Sequence, residues 1–351
     1  MGGGMERMEL GRTGIEVTDW CLGTMTYGNQ TPEADAHAQI DRALDAGLNF
    51  VDCAEMYPVN PVRAETAGRS EEILGTWFAK SGKRDRWVLA TKVTGPNGFG
   101  IRDGKGYDGP SIRAAVDASL TRLQTDYIDL YQLHWPNRGS YHFRQYWSFD
   151  PSGRDPAAVE AHMIEVLETL DALIKAGKLR AVGLSNETCW GTCQWLRLSQ
   201  AHGLPRMASV QNEYSLLCRL YDTDMAEMSA MEDVTLLSYT PLAGGLLTGK
   251  YQTGDVPQNS RMSLNASMGG RVTDRMWPAV QAYLDLAAQH GLDPVHMALA
   301  WQRARPFPIS VIFGATTDAQ LEQILAGRDL NLSEQVLTQI DALNRAHPMV
   351  F

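Results

Sequence analysis

Between residues 19 and 313 the chain alternates short apolar runs, rich in β-favouring residues, with longer stretches whose apolar positions recur at helical spacing. The short runs read as strands at 19–25, 49–53, 87–92, 128–134, 181–185, 209–213, 235–240 and 310–313. Helices are expected near 33–46, 70–80, 111–123, 159–176, 189–202, 222–231 and 279–290, with Gly47 a suitable left-handed terminator for the first. Strands that are apolar on both faces belong in a parallel sheet covered by helices, because helical crossovers return the chain to start each new parallel strand. About eight such units is the count of a closed barrel. The expected fold is therefore α/β, a single (β/α)8 TIM barrel domain spanning residues 1–351.

The ends of the chain add to this frame. Residues 8–17 alternate apolar and polar positions around Gly11 and Gly14, which reads as an N-terminal β-hairpin covering one end of the barrel. Residues 333–347 read as an extra C-terminal helix, with Ser333 as N-cap and Leu332, Val336, Leu337, Ile340 and Leu343 on one face. Two connections are long, 58–69 and 137–155, and the second carries Tyr141, His142, Phe143, Tyr146, Trp147 and Phe149. Most of these aromatics are expected to pack the loop down, with one or two walling a substrate pocket. A doubly wound sheet is the competing fold, but it would present Gly-x-Gly-x-x-Gly directly after its first strand. No such fingerprint stands there, and Gly2-Gly3-Gly4 precedes any strand.

A net charge of −10 disfavours nonspecific contact with nucleic acid or an anionic membrane, both of which need clustered Lys and Arg. An anionic cofactor is compatible with that charge, because local cations dominate within a Debye length of ~8 Å. A small-molecule partner is the expectation. No apolar run reaches the roughly 18 residues of a membrane span, and no basic start precedes an apolar segment, so a cytoplasmic location is expected. The five cysteines are an odd number, and Cys189 and Cys193 lie one helical turn apart rather than in a metal motif. Nothing in the pattern fixes an oligomeric state.

Candidate chemistry gathers where three strands end: Asp52 and Tyr57 after the second, Lys92 after the third and His134 after the fourth. Barrel enzymes keep reactive groups at such carboxyl ends. A phenol titrates near ~10, so a tyrosine that moves protons at neutral pH needs a neighbouring cation to stabilise phenolate. Lys92 is the candidate. A metal held by His134 and Asp52 is the alternative, without a second nearby histidine or cysteine to complete it.

Asp52-Cys-Ala-Glu-Met-Tyr57, Thr91-Lys92 and Leu133-His-Trp-Pro136, in this order, resemble the aldo-keto reductase family, and the Met56-Tyr57-Pro58 form with a long following loop resembles its Tas-like bacterial branch. Gly183-Leu-Ser-Asn186, Gln211-Asn212, Tyr239 to Lys250 and Gly314 to Thr317 extend the resemblance over nearly the whole chain. It implies carbonyl reduction with Tyr57 as proton donor, Lys92 stabilising phenolate, Asp52 holding Lys92, and His134 orienting the carbonyl oxygen. It also implies NADPH as cofactor. Ser185, Asn186 and Gln211 would meet the nicotinamide carboxamide and Tyr239 would stack on the ring. Thr240, Pro241, Leu242 and Gly244 would approach the pyrophosphate, Lys250 and Arg261 the adenosine phosphate end. Thr24, Met25, Asp52, Gly314, Thr316 and Gln320 complete the implied contacts. Two departures stand out: Thr317 replaces a common basic residue, and Gln323-Ile324 replaces a usual Glu-Asn pair. Because the family includes potassium-channel β subunits, a cofactor-binding regulatory subunit is the rival to an enzyme.

Overall fold

The computed structural model describes residues 5–98 and 100–351, so the Gly2-Gly3-Gly4 run lies outside the described residues. After β1 (Arg7–Glu9) and β2 (Glu16–Thr18), eight strands follow: β3 (Trp20–Gly23), β4 (Phe50–Asp52), β5 (Val88–Val93), β6 (Ile128–Leu133), β7 (Leu179–Ser185), β8 (Met207–Glu213), β9 (Thr235–Tyr239) and β10 (Ile309–Phe313). They close into a barrel in chain order, with β10 returning to β3, and all neighbours are parallel. This is the (β/α)8 barrel that the alternating pattern implies.

Alternation of side chains across the strands gives the barrel two cores. Outward residues such as Trp20, Val51, Leu89, Tyr131 and Val182 pack under the helices, while Cys21, Phe50, Ala90, Leu130, Ala208 and Leu237 fill the interior near its amino end. The β1–β2 hairpin closes that end by adding Leu10, Ile15 and Val17 to the inner cluster. Gly11 makes the approach possible. Its φ is +57°, its N–H donates to Thr235 Oγ1 at 2.9 Å, and a Cβ there would stand 2.5 Å from the backbone oxygen of Ala208. With the amino end plugged, the open mouth is the carboxyl end.

Several boundaries differ from the sequence reading, each for a local reason. The first strand stops at Gly23, and Thr24 and Met25 already belong to the following turn. β9 stops at Tyr239 because Thr240 takes a left-handed φ of +59°. The helix expected at 159–176 is Pro156–Lys175: Asp155 caps it by accepting from the N–H groups of Ala157 and Ala158, and a proline at the first position is pre-organised for helix. The one expected at 222–231 begins at Met225, because Asp222 is held by Tyr214 and Arg219 in a separate turn. Among the described residues, the short turn of helix Arg261–Leu264 and two longer helices escaped the periodicity, Pro294–Arg303 and Asp318–Ala326, the last two capped by Asp293 and Thr317. The terminal helix Glu334–Ala346 is capped by Ser333 as expected.

Gly11→Ala should destabilise the chain by about 2 kcal/mol, because the new methyl group meets backbone and the left-handed φ is costly for alanine. Denaturant unfolding measures this; an unchanged midpoint would mean that the hairpin does not depend on its close seat against Ala208.

Candidate active site

Two backbone hydrogen bonds carry the chain from β4 across the end of β5: Cys53 N–H to Ala90 O at 2.8 Å and Glu55 N–H to Lys92 O at 3.2 Å. Glu55 anchors the turn further by accepting from the N–H of Thr94 and from the Arg102 guanidinium at 3.0 and 2.8 Å. Tyr57 then closes a turn on Ala54 O, and its own carbonyl accepts from the N–H groups of Gly68 and Ser70. These constraints place the phenol over Lys92.

Lys92 is fully buried. Its ammonium donates to Asp52 Oδ2 at 2.6 Å, to Cys53 O at 2.7 Å and to Tyr57 Oη at 3.4 Å. Asp52 Oδ1 accepts from Gln132 Nε2 at 3.0 Å and Gln211 Nε2 at 2.9 Å, so both oxygens of this buried carboxylate are satisfied. His134 lies edge-on to Tyr57 with ring centroids 5.8 Å apart. The four residues that the sequence singled out thus meet in one place, at the carboxyl ends of β4, β5 and β6.

Their electrostatics divide the roles. Burial lowers the pKa of Lys92, but Asp52 and Tyr57 outweigh it and raise the net value, so the ammonium is retained. Burial raises the Tyr57 phenol above its usual value, and Lys92 only partly offsets this, so the side chain rests protonated. Burial, then the charge of Lys92, hold His134 well below the usual histidine range, so its ring is neutral at neutral pH. Its Nδ1 is buried without a partner among the described residues.

The residues assigned to a cofactor fall into three groups. Around β7 to β9, Asn186 donates to His134 O at 2.9 Å and Ser185 Oγ at 3.1 Å and accepts from Tyr239 Oη at 2.7 Å, while Ser185 Oγ donates to Gln211 O at 3.0 Å. Gln211 Nε2 also donates to Gln132 Oε1 at 3.0 Å. The amide hydrogens of Asn186 and Gln211 are therefore engaged within the protein, whereas Gln211 Oε1 accepts no hydrogen bond among the described residues. An acceptor in that position suits the N–H2 of a carboxamide. Tyr239 has its hydroxyl pinned and its ring half-exposed.

In the following loop Thr240, Ala243, Gly244 and Gly245 all have positive φ, at 59°, 50°, 70° and 98°, a curled backbone of the kind whose N–H groups cradle anions. Pro241 and Leu242 lie inside this curl, and Lys250 lies across Gly245, where a Cβ would meet its Nζ at 3.0 Å. Neither Lys250 nor Arg261 has a carboxylate partner among the described residues. Burial and the adjacent Arg271 push the Arg261 guanidinium down to about 10, so an anion beside it would relieve both penalties.

At β10, Gly314 approaches Gly23 O, and Gln320 Oε1 accepts from the N–H of Thr316 at 2.9 Å and from its hydroxyl at 3.0 Å. Thr317 caps the next helix. The Thr24 side chain is wholly buried and donates to Asp52 O at 2.9 Å, so it braces the strand end that carries the carboxylate. Met25 remains half-exposed, and its carbonyl accepts from Val59 N–H.

The sequence reading missed Gln132, which shares Asp52 with Gln211; a polar residue within an otherwise apolar strand was the available signal. It also missed Glu213, at the end of β8, which accepts from Arg144 at 2.6 Å and Arg271 at 2.7 Å. Both arginines come from distant loops, so no spacing in the sequence announces them. Among the described residues, no group of three or more His, Cys, Asp or Glu is arranged to hold a metal ion, and no helix is long and apolar enough to cross a membrane.

Comparison with known proteins agrees with this geometry. The model of the Aldo/keto reductase family matches residues 20–345. The chain is 44% identical to the protein Tas of Escherichia coli over 98% of its length and 99% of that protein. It is 30% identical to the uncharacterized oxidoreductase YrpG of Bacillus subtilis, over 96% of this chain and 95% of that one. A probable voltage-gated potassium channel subunit beta of Oryza sativa is 28% identical over 98% of both. The chain therefore belongs to the aldo/keto reductase family, as an oxidoreductase similar to Tas.

Proposed function

We propose that this oxidoreductase reduces aldehydes or ketones to alcohols with NADPH, and that Tyr57 delivers the proton. The observation that carries the reading is the Lys92 ammonium held between Asp52 and the Tyr57 hydroxyl. When bound, the cofactor supplies the hydride. Tyr57 Oη accepts from Lys92, which leaves its own proton directed away from the ammonium and free for a carbonyl oxygen. As that proton leaves, the nascent phenolate lies against a cation already in place, so little reorganisation is required. Asp52 keeps the ammonium charged and fixed. With Nδ1 of neutral His134 lacking any acceptor, the tautomer carrying its proton on Nε2 avoids burying an unpaired N–H, and Nε2–H can then donate to the same carbonyl oxygen.

Support for the cofactor is independent of the proton chemistry. Among the described residues Gln211 Oε1 is free to accept, Tyr239 presents a fixed ring, and Lys250 and Arg261 stand without acidic partners beside a curled, glycine-rich backbone. These features fit an amide-bearing ring at one end and phosphate at the other. NADPH is preferred over NADH in this reading because Arg261 can bind the 2′-phosphate through directed, charge-assisted hydrogen bonds. A regulatory subunit that senses cofactor is the second reading, favoured by the similarity to the rice channel subunit. Turnover in a screen of carbonyl compounds with both cofactors separates the two.

Tyr57→Phe should lower the reduction rate by roughly 100-fold or more while cofactor fluorescence still reports binding. A variant reducing carbonyls at near-normal rate would remove Tyr57 from the mechanism. Arg261→Ala should weaken NADPH about tenfold to a hundredfold, the worth of a charged hydrogen bond, and NADH much less. Titrating both cofactors into both proteins checks this, and equal losses would assign Arg261 to the phosphates that the two cofactors share. Prolonged EDTA treatment should leave activity intact; loss restored by zinc or magnesium would revive a metal role for His134.

A further inference from the structure

Glu213, the last residue of β8, joins two loops that are far apart in sequence. One of its oxygens accepts from Arg144 Nη1 at 2.6 Å, and Arg144 also donates through Nε to the carbonyl of Gly269. The other accepts from Arg271 Nε at 2.7 Å, and Arg271 Nη1 donates to Met268 O at 2.9 Å. Burial alone would raise the pKa of Glu213, but Arg271 and then Arg144 hold it below the usual carboxylate value. The three side chains form a partly buried ion triad around the buried Glu213, with matched donors on both carboxylate oxygens, an arrangement specific in direction as well as charge.

What each loop presents gives the triad its meaning. On the Arg271 side, Met268 packs over the curled cofactor loop, where a Cβ on Gly244 would stand 2.8 Å from the Met268 terminal methyl. On the Arg144 side, the neighbouring Phe143 stands edge-on to Trp135 at 5.8 Å, and Trp135 lies 4.9 Å from His134. Phe143 is 41% exposed, so its far edge is open. Phe143 and Arg144 both hold left-handed backbone, with φ of 59° and 64°, a costly conformation for side-chain-bearing residues that persists only where surroundings over-determine it. The Arg144 bonds constrain that point of the loop together with the turn that Gln145 N–H closes on the Tyr141 and His142 carbonyls.

We propose that Arg144 is a positioning residue that makes the substrate wall and the cofactor cover one unit: it holds Phe143 as the outer wall of the carbonyl site, and binding of cofactor under the 268–271 segment rigidifies that wall. This inference rests on the carbonyl-reductase reading and names its preferred substrates as aromatic aldehydes or ketones. The Trp135 and Phe143 rings, set at 90° to each other, offer an edge and a face to a planar ring held beside His134. A short aliphatic carbonyl has no ring to set against Phe143.

The test uses the full chain, with wild type, Arg144→Ala, Phe143→Ala and their double variant, each confirmed as folded by thermal unfolding. With saturating NADPH, KM for 4-nitrobenzaldehyde should rise roughly tenfold more than KM for propanal in each single variant, and kcat should move little. The double variant should be no worse than the singles, because both remove the same wall. Multiplying effects, or equal losses for both aldehydes, would overturn the wall. Only Arg144→Ala should also speed NADPH dissociation, and Arg144→Lys, which keeps the charge but lacks the planar fork, should restore that rate only in part. A second arm needs no turnover. NADPH should slow amide hydrogen exchange across 139–147 in wild type but not in Arg144→Ala; equal protection in both, or none in wild type, would overturn the coupling. A protein that reduces no carbonyl would refute the proposed function, and the exchange arm would still decide the coupling.

Discussion

A fully buried ammonium is the constraint from which the rest of this site follows. Moving a lysine charge out of water is costly unless an opposite charge and further acceptors surround it. Here Asp52, the Cys53 carbonyl and the Tyr57 hydroxyl surround Lys92, and each lies within a few residues of the end of β4. The barrel sets β4 beside β5 in parallel register, with Asp52 opposite Ala90, so the carboxylate lies next to the strand that carries Lys92. Two glutamines from β6 and β8 then satisfy the remaining carboxylate oxygen. Neighbouring and facing strands of the closed barrel therefore contribute to stabilising one charge.

That charge organises its neighbours in turn. Burial, aided by that charge, keeps His134 neutral, and a protonated phenol stands beside a permanent cation, an acid whose conjugate base is already stabilised. Plugging the amino end of the barrel interior with the hairpin leaves its carboxyl end as the open mouth. The long loops over that end are themselves held by buried ion pairs, Arg138 with Glu187 and Arg144 and Arg271 with Glu213, anchored on strand ends rather than on other loops. Rigid strands thus position the chemistry, and loops tied to them shape access.

The sequence by itself determined the barrel, the plugging hairpin, the terminal helix and the four polar residues gathered at the strand ends, because each leaves a local mark: apolar runs at short period, a capping serine, a polar group breaking an apolar strand at its end. The missed helix at Pro294–Arg303 shows where that mark fails, since a helix buried on most sides loses its amphipathic contrast, while Asp318–Ala326 is too short for Leu321, Ile324 and Leu325 to set a clear period. Tertiary structure alone decided which polar groups are already engaged. Thr24, Asn186 and Gln211 are only implied cofactor contacts in the sequence, and the folded chain engages the Thr24 hydroxyl with the Asp52 carbonyl and the amide hydrogens with acceptors in and around the site. It also decided that Glu213 joins Arg144 to Arg271, across separations that no spacing rule spans. The physical reason is that a strand or a cap is fixed by neighbours in sequence, whereas a buried polar group takes whichever partner the closed barrel brings within hydrogen-bonding distance.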